Sequence, residues 1–99
     1  MAHLIKFSTG SCGTCGKMSH YDEKVATEVG LTFHVCKVTN EDDYINYRHV
    51  LLLRYPELEG VGYPTYVMVD ELEHPTMLGS IRGGIEKGKF REKLQKLLP

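Results

Sequence analysis

Two cysteines separated by two residues, Cys12 and Cys15, hold the sharpest chemical potential in this chain. A C-x-x-C pair can close and open a disulfide or supply half of a metal site. Its surroundings favour the first. The apolar run at residues 4–8 (LIKFS) is broken by Thr9-Gly10-Ser11, and the cysteines follow at once. Beyond them Met18, Tyr21, Val25, Ala26 and Val29 recur at helical spacing. The pair is therefore predicted where a strand hands over to a helix. Unpaired backbone N–H groups and the positive end of the helix dipole stabilise an anion there. Cys12, at the helix start, is the expected attacking sulfur, with its pKa below the free value of about 8.5. Cys15, one turn further in, is the expected resolving sulfur. Gly13 and Thr14 between them are small enough to let a substrate chain approach and are expected to influence the redox balance.

Zinc is the alternative. Cys36, His20 or His34 would have to complete the site, but the chain has no second C-x-x-C and no H-x-x-x-H. A structural zinc centre needs four well-spaced ligands, so no metal and no separate cofactor are expected. The redox group is the Cys12–Cys15 pair itself. Cys36 sits inside an apolar run and reads as an inert core thiol. Three cysteines in all, an odd number, argue against a disulfide scaffold.

The elements that must position the pair follow from periodicity and punctuation. Residues 4–8 and 31–38 read as strands joined by the helix after Cys15, which Gly30 stops. A second helix starts at residues 40–43, runs through Tyr44, Tyr47, Val50 and Leu51, and is limited by Pro56. Residues 65–69 (TYVMV) and 77–81 form strands around a polar turn, which suits an antiparallel hairpin. Phe90, Leu94, Leu97 and Leu98 mark a last amphipathic helix. The order β-α-β-α-β-β-α predicts an α/β fold: a four-stranded mixed sheet with helices on both faces.

At 99 residues this is expected to be a single domain, 1–99, with no repeat or linker. Twelve basic against thirteen acidic residues leave no electrostatic footprint for nucleic acid or an anionic membrane. No apolar run approaches a membrane span. The opening MAHLIKF lacks the basic-then-apolar pattern of a secretory signal, so the expected setting is cytoplasmic.

The segment Gly62-Tyr63-Pro64-Thr65, just before the third strand, completes a pattern. With Cys12 and Cys15 it resembles the thioredoxin family, over nearly the whole chain. The resemblance implies a minimal thioredoxin-like fold without the family's N-terminal strand and helix, as short as in glutaredoxins. It implies a protein-disulfide reductase, monomeric, re-reduced by a thioredoxin reductase. It also implies a cis peptide bond before Pro64, where an extended substrate would pair with the backbone of Tyr63. Tyr63, Pro64, Thr65 and Gly79 are the substrate-binding residues it suggests, with Gly79 standing for a groove glycine on the last strand. Three departures stand out. The family's Trp-Cys-Gly-Pro-Cys is here Ser11-Cys12-Gly13-Thr14-Cys15, so Thr14 should shift the reduction potential. There is no tryptophan. Lys6 stands where thioredoxins carry a buried aspartate, and its alternation with Leu4 and Ser8 points it to one buried face. Lys6 is thus expected to tune the redox pair, unless its ammonium snorkels to solvent.

Glutaredoxin is the neighbouring alternative and would bring glutathione as donor. Its Gly-Gly and acidic residue after the last strand are imperfectly matched by Gly83-Gly84-Ile85-Glu86. A non-catalytic binding module of the same fold is the alternative from another class. Residues 83–89 (GGIEKGK) nearly spell a phosphate-binding loop, but Phe90 replaces the Mg²⁺-holding Ser or Thr, so the segment reads as a strand-to-helix connection. The tyrosines lack a basic groove for base stacking. Tyr44 and Tyr47 are expected in the core, His49 and His74 at the surface, and His20 one turn beyond the cysteines, where it is a candidate supporting base.

Overall fold

A computed structural model describes residues 2–10 and 12–99; Met1 and Ser11 lie outside the described residues. Strand β1 (His3–Ser8) leads into helix α1 (Gly13–Met18), then α2 (Asp22–Glu28), β2 (Thr32–Lys37), α3 (Glu41–Arg54), β3 (Thr65–Val69), β4 (Met77–Arg82) and α4 (Lys87–Leu97). The sheet order is β2-β1-β3-β4. β1 runs parallel to β2, with Ile5 opposite His34. It runs antiparallel to β3, with Lys6 opposite Tyr66 and Phe7 opposite Thr65. β3 and β4 form the antiparallel hairpin, with a register shift at Met68/Val69.

Alternation along the central strands divides the core. Leu4, Tyr66, Met68 and Ile81 pack with Met18, Val25, Ala26, Phe90 and Leu94 on the α1/α2/α4 face. Ile5, Phe7, Cys36, Val67 and Val69 pack with Val50 and Leu51 of α3 on the other. The four-stranded mixed sheet with helices on both faces is the architecture the periodicity predicts.

Local chemistry sets the helix limits. The Asn40 side chain accepts from the Asp43 N–H at 3.0 Å, Glu41, Asp42 and Asp43 occupy the first turn of α3, and Arg54 its last. That charge order complements the helix dipole. The first predicted helix differs, because it is two helices rather than one. α1 ends at Met18, and Tyr21 adopts φ −142°, outside the helical region. The interruption lets the Tyr21 hydroxyl donate to the carbonyl of Ile85 and its ring meet Phe90 edge-on, centroids 6.2 Å apart. It also turns Asp22, the first residue of α2, into the protein interior, where it is 2% exposed. Side-chain periodicity alone does not register this break, since both halves keep the same apolar face.

One residue outside the site carries backbone strain. Leu58, in the loop after α3, has φ 57°, and a left-handed conformation costs an L-residue with a Cβ about 1–2 kcal/mol. The side chain is 40% exposed, so little packing offsets this. Leu58→Gly should therefore raise stability by about 1 kcal/mol, read as a higher urea midpoint at unchanged slope.

Candidate functional site

The site forms where β1 ends. Cys12 is the N-cap of α1, in extended conformation, and its sulfur accepts the Cys15 N–H at 3.0 Å. The two sulfurs are joined in a disulfide, with Cα atoms 5.2 Å apart. Exposure separates the two partners: Cys15 is 6% exposed, while Cys12 is only half-buried. Gly13 is exposed and nothing lies within 4 Å of the place a Cβ would take, so the approach to Cys12 is open on that side.

Beneath the pair lies a buried network. Lys6, 4% exposed, donates from Nζ to the carbonyl oxygen of Cys15 at 3.0 Å. The same Nζ lies 2.6 Å from Asp22 Oδ2. The Tyr66 hydroxyl donates to that carboxylate oxygen at 2.8 Å, and the Glu23 N–H to Oδ1 at 2.7 Å. Burial and the Asp22 charge push the Tyr66 hydroxyl far above the usual phenol range, so it remains a donor. The expectation that Lys6 faces the interior describes its position; it does not snorkel. Asp22 is the residue sequence reasoning missed. The available signal was physical: a lysine on an inward position of a central strand requires an anion, since an unpaired buried charge is costly. A cavity of about 400 Å³ opens from this network to the disulfide, lined among others by Lys6, Cys12, Cys15, Asp22 and Val35.

The proline loop approaches from the other side. The register that sets Phe7 opposite Thr65 brings Pro64 alongside Ser8, where β1 gives way to the cysteine loop. The Tyr63–Pro64 peptide bond is cis. Pro64 is buried, and its carbonyl accepts the Gly83 N–H at 2.8 Å. Gly84 in turn donates to Met18 Sδ at 3.3 Å, and a Cβ there would meet Thr14 Cγ2 at 3.8 Å. Gly83 and Gly84 thus tie the proline loop to the cysteine segment.

Two of the suggested substrate contacts are engaged within the fold. Gly79 lies opposite Met68, well along the hairpin from Pro64. A Cβ on it would collide with the Leu97 side chain, so its role is to seat α4 against the sheet. The glycine against the proline is Gly83, where a Cβ would collide with Pro64 Cγ and stand 3.0 Å from its carbonyl oxygen. Thr65 is 1% exposed and its hydroxyl donates to the Gly62 carbonyl, so its side chain closes the loop. The Tyr63 ring is half-buried against the α3-side core, where burial raises its hydroxyl pKa. Gly83→Ala should lose about 1–3 kcal/mol through this overpacking, as a urea melt would register.

Cys36 is fully buried and its thiol is pushed up to about 11 by burial and by Asp43. In the unfolded chain it ionises at about pH 8.5. The unfolded state then binds fewer protons than the native state, so this thiol withdraws stability as pH rises from there through the native value. Cys36→Ala should flatten that alkaline slope in urea melts. His20 is exposed on the link between α1 and α2. Tyr44 and Tyr47 are half-buried beside the α3 core, and His49 and His74 are exposed. Among the described residues no three His, Cys, Asp or Glu side chains come together as a metal cluster, and no helix is long and apolar enough to cross a membrane.

No protein-family model and no curated protein sequence matches this chain. Solved structures do. A thioredoxin from Thermus thermophilus superposes with a TM-score of 0.66 at 17% identity, covering 97% of this chain and 72% of that one. The short form of spinach chloroplast thioredoxin f gives 0.66 at 22% identity, covering 97% and 75%. A structure described only as a malarial protein gives 0.67 at 14% identity, covering 100% and 99%. The chain has a thioredoxin-like fold.

Proposed function

We propose that this protein is a thiol–disulfide oxidoreductase that reduces protein disulfides. In the reduced form the Cys12 thiolate attacks one sulfur of a target disulfide. That bond breaks, a mixed disulfide forms, and the released target sulfur takes up a proton. Cys15 gives up its proton and attacks Cys12 Sγ, which closes the Cys12–Cys15 disulfide and frees the second target thiol. Two electrons pass from the protein to the target, and an external thiol donor must restore them.

The observation that carries this reading is the asymmetric pair: a half-exposed N-cap sulfur bonded to a backbone N–H, and a nearly buried partner. The N–H bond favours the charged form of Cys12. Lys6 and Asp22 support a tuning role, because they place one cation and one anion directly behind Cys15. Gly13 and Thr14 span the pair and belong to the same assignment. The substrate chain would lie along the backbone of Tyr63 and Pro64 and add a strand-like contact.

We further assign a monomer in a reducing, cytoplasmic setting, with thioredoxin reductase as donor and no cofactor beyond the cysteine pair. Glutathione is kept as a second donor because Gly83-Gly84, the pair reminiscent of glutaredoxins, packs against Pro64 and close to Thr14. Insulin reduction by the full chain tests the reading, with NADPH and a thioredoxin reductase in one arm and glutathione with its reductase in the other. Turnover in the first arm is expected. Turnover only in the second would reassign the donor, and turnover in neither, nor with dithiothreitol, would leave a binding module.

A further inference from the structure

At the opposite end of β1 from the cysteines, two imidazoles face each other. His3 Nδ1 lies 3.0 Å from His34 Nε2, with ring centroids 5.2 Å apart. His34 Nδ1 in turn lies 3.3 Å from the Tyr47 hydroxyl of α3. His3 and Ser8 are the two ends of β1, about 16 Å apart at the usual rise, so this cluster is remote from the redox pair. Both histidines are half-buried and lie on the α3 side of the sheet.

When the His34 Nδ1–H donates to Tyr47, its Nε2 lone pair points at His3. Two ring nitrogens this close need a proton or a cation between them, because facing lone pairs repel. A tetrahedral ion with bonds of about 2.0–2.1 Å spans about 3.3 Å between two nitrogens. Opening the pair by a few tenths of an ångström would meet that span. Tyr47 then does what an outer-shell partner does for a ligating histidine: it fixes the tautomer and the ring orientation.

We propose that His3 and His34 form a two-imidazole chelate for a divalent first-row cation of the Ni²⁺, Cu²⁺ and Zn²⁺ class, with Tyr47 as the orienting residue. Imidazole donors select those ions over Mg²⁺ or Ca²⁺. Water completes the coordination, so the ion exchanges. Bound there, it links β1 to the edge strand β2 and stabilises the native state by mass action.

Ni²⁺ is the probe, added to the untagged full chain in its oxidised form, in which the disulfide occupies both active-site sulfurs. Calorimetry should show one equivalent bound, and paramagnetic broadening of amide signals should centre on His3, His34 and Tyr47. His3→Gln and His34→Gln should each weaken binding by more than about tenfold, and Tyr47→Phe by about tenfold. His49→Gln, outside the cluster, should leave it unchanged. Circular dichroism checks that the variants fold, and the broadening map of the wild type needs no variant. No saturable binding, broadening centred on His20, His49 or His74, or unchanged affinity in His34→Gln would overturn the proposal.

Discussion

Lys6→Met should cost about 3–5 kcal/mol of folding stability, the usual consequence of removing one partner of a buried ion pair. The variant leaves the Asp22 carboxyl at 2% exposure, with only the Tyr66 hydroxyl and the Glu23 N–H to hold it. The size of the loss reflects the stranded carboxylate more than the strength of the pair. Lys6→Met combined with Asp22→Leu should therefore recover much of it, since an apolar replacement strands no charge. Urea melts of the two single variants and the double variant decide the matter. Equal losses that simply add would contradict coupling between the two side chains.

Substitutions at Lys6 and at Asp22 should move the redox pair in opposite directions. In Lys6→Met an uncompensated carboxylate lies behind Cys15, disfavours thiolates and raises the cysteine pKa values. The reduced protein is then less stabilised and the potential becomes more negative. Lys6→Asp places two carboxylates there and should shift both further. Asp22→Asn leaves the ammonium unbalanced and reverses both signs. Cysteine titration and equilibration against glutathione read these shifts. No change in any of the three would separate the network from the redox chemistry.

Cys12→Ser has the largest expected effect on activity. A hydroxyl at pH 7 is a far weaker nucleophile than a thiolate, and the Cys15 sulfur is too buried to meet a protein disulfide in its place. Disulfide reduction should fall to background. Cys15→Ser should keep the first attack and lose the release step, so turnover stops with the substrate attached.

The chain itself declares much of this. Strand alternation, the Asn40 cap, the proline stop after α3 and the C-x-x-C at a strand end are local signals, and local signals survive without coordinates. The placement of Lys6 on an inward face was legible for the same reason. Its partner was not, because Asp22 faces inward only through the break between α1 and α2, which the shared apolar face of Met18, Val25 and Ala26 conceals. The packing of the two hairpin glycines was hidden for a related reason. Gly79 and Gly83 both lie near the end of the hairpin in sequence, and only the β3–β4 register, with Thr65 opposite Arg82, places the second one against Pro64. The facing of His3 and His34, thirty-one residues apart in sequence, likewise depends on the parallel pairing of β1 with β2.

The most direct measurement of the central claim is mixed-disulfide trapping, read by intact-mass spectrometry. Reduced Cys12→Ser and Cys15→Ser proteins are each incubated with a disulfide-containing protein, quenched with acid and weighed. A covalent adduct that dithiothreitol releases is expected on Cys15→Ser, and none on Cys12→Ser. An adduct on Cys12→Ser alone would reverse the roles of the two sulfurs, and no adduct on either would contradict thiol–disulfide exchange at this site.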